Sequence, residues 1–177
     1  MLKQRFVGER FLIRPSNKMK NQKITISVVG SHDLTPEVER VAHNIGKFIA
    51  EMEAILVCGG LGGAMEASSK GAKEAGGTTI GLLPGKDKKD ANPYIDIALP
   101  TSIGFARNCM VACSADIIVA LPGSYGTNCE ICYGLAYKRP VIDLGNWGID
   151  GMIKVENLED AKNKIKECIE KIKQARS

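Results

Sequence analysis

The chain has 177 residues, 44% of them hydrophobic and 25% charged. That is the balance of one ordinary globular domain, and it excludes collagen-like, low-complexity and disordered classes. The net charge of +4 is uneven: residues 1–22 carry six basic side chains against Glu9 alone, and the remainder is close to neutral. A general nucleic-acid-binding surface needs its basic excess on the folded body, so no nucleic-acid partner is expected. Residues 1–22 read as a flexible basic leader and residues 23–177 as a single domain. No stretch approaches about 18 uninterrupted apolar residues, so no membrane span is expected. The leader lacks the apolar core of a secretory signal, so the expected location is cytoplasmic.

In chain order, Ile24–Val29 is a continuous β-branched run and reads as a buried strand that ends at Gly30. Thr35 and Pro36 suit a helix cap and a first turn. Val38, Val41, Ala42, Ile45, Phe48, Ile49 and Met52 then line up at helical spacing. Ala54–Cys58 is a second strand, followed at once by Gly59, Gly60, Leu61, Gly62 and Gly63. Ala64–Ala75 is a helix rich in small residues, and Gly76 and Gly77 stop it. Thr78–Leu83 is a third strand, 84–93 an exposed loop, and Tyr94–Leu99 a short strand. Gly104–Cys113 reads as a helix, Asp116–Leu121 as a buried strand, and Pro122–Gly126 as a second glycine turn. Asn128–Tyr137 is a helix, Val141–Leu144 a strand and Met152–Val155 an edge strand. Asn157 caps a last helix that turns Leu158, Ala161, Ile165, Cys168, Ile169 and Ile172 to the core.

Hydrophobic strands alternating with helices pair in parallel, each crossover laying a helix on one face of the sheet. The expected fold is therefore a three-layer, doubly wound α/β sandwich, with a mainly parallel sheet and helices on both faces. In such sheets ligands bind beyond the carboxyl ends of the strands, where both glycine turns fall.

Six cysteines occur in the chain: Cys58, Cys109, Cys113, Cys129, Cys132 and Cys168. A chain of this size has no need of disulfides, so free thiols are expected. Cys109/Cys113 and Cys129/Cys132 have the spacing of metal ligands. Both pairs nonetheless sit in apolar helical stretches and read as small buried hydrophobes, so no metal is expected, with zinc or an iron–sulfur cluster as the alternative.

The first turn, with four glycines in five positions, leaves its amides bare, and the helix that follows adds its positive end. The second turn adds the hydroxyls of Ser124 and Thr127. Two such turns at neighbouring strand ends suggest a phosphate-bearing ligand. A Walker A loop is excluded, because Gly81 and Gly85 are followed by Lys86 and then Asp87. The dinucleotide fingerprint also fails, because Gly60 and Gly62 are followed by Gly63, Ala64 and Met65.

Gly59-Gly60-Leu61-Gly62-Gly63-Ala64-Met65-Glu66 and Pro122-Gly123-Ser124-Tyr125-Gly126-Thr127-Asn128-Cys129-Glu130 together resemble the paired motifs of the LOG (LONELY GUY) family. The likeness runs from about Ile24 to Leu144. It implies a Rossmann-like fold that binds a nucleotide-like, phosphorylated ligand. It also implies hydrolysis of the N-glycosidic bond of a nucleoside 5′-monophosphate to free base and ribose 5-phosphate, with no cofactor. Ser124 stands where plant-type members have glycine, and Asn108 where they have lysine. These departures, with the Met65–Lys73 and Gly104–Asn108 segments, look more like the branch that contains molybdenum-cofactor carrier proteins. That likeness implies an alternative, non-catalytic carriage of a phosphorylated pterin such as molybdenum cofactor.

For hydrolysis, Arg107 and Glu130 are the candidate catalytic residues. A carboxylate stabilises oxocarbenium character and positions water, while an arginine clamps phosphate or a ribose hydroxyl with two bonds. Gly30, Ser31, Gly59, Gly60, Gly62, Gly63, Gly123, Ser124, Gly126 and Thr127 are the candidate ligand- and phosphate-binding residues. Glu66 is either a second carboxylate near the site or a packing or helix-start residue, and His32 is a loop histidine. Tyr125 and Trp147 are candidates for stacking on a ring, with Trp147 read first as a lid-like packing residue. The resemblance further implies a homo-oligomer, a dimer or tetramer, with the helices of Arg107 and Glu130 near the subunit contact.

Overall fold

The computed structural model describes residues 22–177, so the basic leader lies outside the described residues. Seven strands form one all-parallel sheet: β1 (Thr25–Val29), β2 (Ile55–Cys58), β3 (Thr78–Leu83), β4 (Ile97–Pro100), β5 (Ile117–Ala120), β6 (Val141–Asp143) and β7 (Ile153–Lys154). Their spatial order is β4-β3-β2-β1-β5-β6-β7. The chain thus winds outward from β1 to β4, returns to place β5 beside β1, and winds outward again on the other side. The reversal lies between β1 and β5, registered Ile26 to Ile117 through Val29 to Ala120. A doubly wound sheet opens a crevice at that reversal.

Helices α1 (Pro36–Glu51), α2 (Ala64–Glu74) and α5 (Leu158–Arg176) cover one face, and α3 (Asn108–Cys113) and α4 (Tyr125–Ala136) the other. Alternation along β5 and the Leu121 that follows it divides their side chains between the two faces: Ile117, Val119 and Leu121 enter the first core, Ile118 and Ala120 the second. The Thr35 hydroxyl accepts the Val38 amide at 3.3 Å to cap α1, and Asn157 Oδ1 accepts the Asp160 amide at 3.0 Å to cap α5. The small residues of α2 bring it against α1 as well as the sheet: a Cβ on Gly46 would collide with the Ser68 carbonyl, and one on Gly71 with that of His43.

Three local expectations change. The 104–113 segment divides into a 3-10 turn over Gly104–Arg107 and then α3. The strand expected over 94–99 begins only at Ile97, because Asn92 and Tyr94 are engaged in a turn. Helix α4 starts three residues early, at Tyr125, which puts Gly126 and Thr127 in its first turn and Glu130 in its second.

The cysteines divide more sharply. All are free; Cys168 is buried, as its place on the core side of the last helix implies, and Cys58 is buried too. Cys109 and Cys113 are only half-buried, and Cys129 and Cys132 are exposed. The expectation of buried thiols in these two pairs fails because the outer side of α3 and α4 has nothing packed on it. Met110, Tyr133 and Tyr137 share that uncovered side of the molecule. Among the described residues, no cluster of three or more His, Cys, Asp or Glu is arranged to hold a metal ion.

Candidate functional site

A cavity of about 720 Å³ opens at the β1/β5 reversal, a size suited to a nucleotide or similar cofactor. Ser31, directly beyond β1, stitches its walls together. The Ser31 amide donates to the Pro122 carbonyl of the second turn at 3.0 Å, and the Ser31 carbonyl accepts the Ala64 amide at the start of α2 at 2.9 Å. The two glycine turns therefore lie side by side with Ser31 between them.

Both helices that begin here, α2 and α4, lack a side-chain cap, at Gly63 and Ser124 respectively. The side-chain caps of α1 and α5 contrast with this. Among the described residues no acceptor takes the backbone amides of Leu61, Gly62, Gly63, Gly123 or Ser124. Uncapped helix starts with spare donors are suited to an anion. Gly63 holds φ 66° and ψ −131°, a region essentially reserved for glycine. A Cβ there would also collide with the Ser31 and His32 carbonyls.

Eight of the twelve expected site residues line the cavity: Gly30, Ser31, Gly59, Arg107, Ser124, Gly126, Thr127 and Glu130. Gly60, Gly62, Gly63 and Gly123 do not form its walls. The Gly60 amide is already taken by Cys58 Sγ at 3.3 Å. Gly62 packs on the His32 ring, and Gly123 leaves room for Thr127. These glycines shape the bends, and the amides of Gly62, Gly63 and Gly123 stay without an acceptor among the described residues. Gly59 is bare for a further reason: a Cβ there would strike the Arg107 guanidinium.

Arg107 is buried rather than a surface charge. Its Nη2 donates to the Gly59 carbonyl at 3.2 Å and its Nη1 to Asn108 Oδ1 at 2.6 Å. Asn108 Nδ2 in turn donates to the Gly126 carbonyl at 3.3 Å. One arginine thus ties the first turn to α4 through Asn108. Its buried Nε has no partner among the described residues, which leaves a donor for a ligand.

Glu130 is also buried, with Oε1 3.6 Å from Arg107 Nη1. Burial raises its carboxyl from the usual 4.5 to about 8, against the opposing pull of Arg107. At neutral pH it is chiefly the uncharged acid, able to donate a hydrogen bond to an oxyanion. Burial lowers the Arg107 value, against the pull of Glu130.

Sequence reasoning left several lining residues out of the site. His32, Met65, Asn108 and Cys129 contribute walls, and Phe105 and Tyr125 stand almost fully exposed at the cavity, at 88% and 92%. Of these two rings the sequence singled out Tyr125, inside the second motif, as a stacking candidate and missed Phe105. Trp147 does not reach the cavity: its indole donates to the Leu121 carbonyl at 3.0 Å and packs on the second core. Glu66 is likewise absent from the lining.

The crevice at a doubly wound reversal, flanked by two uncapped helix starts, defines a Rossmann-like ligand-binding protein. Residues 23–176 match the SLOG cluster4 family, and the chain belongs to that family. An uncharacterized protein of Archaeoglobus fulgidus is 39% identical over 145 residues, 78% of this chain and 91% of that one. The molybdenum cofactor binding protein of the phototrophic bacterium Rippkaea orientalis superposes with a TM-score of 0.76 at 33% identity, covering 84% of this chain and 98% of that one. The Moco carrier protein of Chlamydomonas reinhardtii superposes with a TM-score of 0.77 at 34% identity, covering 85% and 99%.

Proposed function

We propose that this chain binds and carries a phosphorylated pterin of the molybdenum-cofactor type and leaves it unaltered. The observation that carries the reading is the cavity itself, where the unpartnered Arg107 Nε and two uncapped helix starts stand beside the exposed rings of Phe105 and Tyr125; the surroundings of Glu130 speak against hydrolysis. Stabilising an oxocarbenium ion and positioning water for a glycosidic cleavage needs an ionised carboxylate. A buried acid raised to about 8 is mostly protonated at neutral pH. A protonated carboxyl suits retention of a phosphate, because it donates to a phosphate oxygen and adds no repulsion.

The residues present fit such a cargo. The Arg107 Nε, the open amides of the second turn and the positive ends of α2 and α4 supply donors for a phosphate. Phe105 and Tyr125 supply flat apolar surface for a ring. The solved relatives named for molybdenum cofactor, at 33% and 34% identity, support this cargo over a nucleotide. The phosphoribohydrolase reading rests on Arg107 and Glu130 lying together on one cavity wall. It would require ligand binding to ionise Glu130.

The working assembly is a homo-oligomer joined through the uncovered face of α3 and α4, where Met110, Tyr133 and Tyr137 are exposed. Thermal shift separates the two functional readings, since a ligand at 100 times its Kd stabilises by about 2.7 kcal/mol. A phosphorylated pterin should raise the melting temperature, and incubation with AMP should release no adenine. Adenine release that disappears in Glu130→Gln would establish the hydrolase instead.

A further inference from the structure

The loop after β3 reads in the sequence as plain exposed surface, yet Asn92 within it is buried. Its backbone amide donates to the Gly60 carbonyl at 2.9 Å, and its Nδ2 donates to the Leu61 carbonyl at 2.8 Å. Its Oδ1 accepts the Tyr94 amide at 3.1 Å, which holds the carboxamide in this orientation. One residue thereby grips two successive carbonyls of the first glycine turn from the β3/β4 side.

A planar trans peptide points its N–H opposite to its C=O. Turning the Gly60 and Leu61 carbonyls toward Asn92 aims the Leu61 and Gly62 amides the other way, toward the loop after β1 and the cavity. Leu61 lines that cavity, Gly62 packs on His32 of the β1 loop, and neither amide has an acceptor among the described residues. The neighbouring amide does not share this freedom, because Arg107 holds the Gly59 carbonyl and Cys58 Sγ takes the Gly60 amide. The first turn thus divides its amides: one is tied down internally and the next two are presented.

We infer that Asn92 is a positioning residue that aims the Leu61 and Gly62 amides at the oxyanion of the bound ligand. This makes the first turn part of the phosphate site through a residue outside either glycine motif. The inference rests on the phosphate-binding reading given above, and the test separates the two.

The experiment titrates the wild-type chain with inorganic phosphate and with AMP while following backbone amide resonances. Asn92→Asp and Asn92→Ser are titrated in parallel. Aspartate keeps an acceptor for Tyr94 but cannot donate to Leu61; serine is too short to reach it. In the wild type the Leu61 and Gly62 amide protons should move downfield and saturate together with those of Gly126 and Thr127. In the variants, affinity should fall about ten- to a hundredfold through loss of aligned hydrogen bonds to a charged group. Sheet resonances should keep their positions.

Movement of Gly126 and Thr127 with Leu61 and Gly62 unmoved overturns the inference alone. So do variants that bind phosphate as tightly as wild type. No saturable response anywhere in the wild type overturns the phosphate reading and the inference with it. The wild-type titration decides the matter even if a variant fails to fold.

Discussion

Replacing Glu130 by glutamine should stabilise the protein, and the gain should depend on pH. The folded-state carboxyl sits near 8 against the usual 4.5. Its contribution to stability is therefore fully present below about 4.5 and is lost as pH rises toward 8. Over that window the unfolded chain is ionised at this position while the folded chain retains its proton. Each pH unit of difference corresponds to about 1.36 kcal/mol. At pH 7 the gap from 4.5 amounts to an upper bound of about 3 kcal/mol, a cost that the uncharged glutamine side chain would not incur. The bound is approached only if glutamine accepts the same surroundings and Arg107 tolerates the loss of partial pairing. For a domain of this size, that corresponds to roughly 6–12 °C in melting temperature. Urea denaturation of both proteins at intervals from pH 4 to pH 9 reads the effect. The stability difference should be smallest near pH 4, grow through neutrality and level off above 8. A variant destabilised by the same amount at every pH would refute the reasoning, because it would mean that Arg107 keeps Glu130 ionised throughout.

Affinity for a phosphorylated ligand should follow the same proton: calorimetric titrations should show binding weaken as pH rises through about 8, where Glu130 becomes a buried anion beside the phosphate. Arg107→Ala should cut that affinity at least tenfold, since it removes the cavity's buried cation and unties Gly59 from Asn108; unchanged binding would remove Arg107 from the site. Gly63→Ala should cost about 1–3 kcal/mol in denaturant unfolding, given a φ of 66° and the carbonyls of Ser31 and His32 in the way. Tyr137→Glu on the open face of α4 should shift light-scattering mass toward monomer; an unchanged mass would place the subunit contact elsewhere.

Much of the fold was legible because it depends on local pattern. The β-branched runs of Thr25–Val29 and Ile117–Ala120 and the helical spacing of Val38 to Ile49 each declare their element without reference to the rest of the chain. The two glycine turns were legible for the same reason. Properties that depend on remote packing were not. Cys129 and Cys132 stand in an apolar helix, and nothing local reveals that its outer side is uncovered. The ionisation of Glu130 depends on burial contributed by other elements. Asn92 reaches back 31 positions to Leu61, and such a clamp leaves no periodic trace. What each glycine is for was not legible. A bare backbone marks a tight approach, and the sequence does not say whether a ligand, Arg107 or Thr127 makes that approach.

The central claim is that the cavity holds a phosphorylated pterin and returns it intact. Equilibrium titration with that ligand, followed by release and chromatographic recovery, tests this directly. Saturable binding at one site per chain, sharply weakened in Arg107→Ala, with the ligand recovered unchanged, is the predicted result. Failure to bind the pterin, together with wild-type turnover of a nucleoside monophosphate to free base, would contradict it.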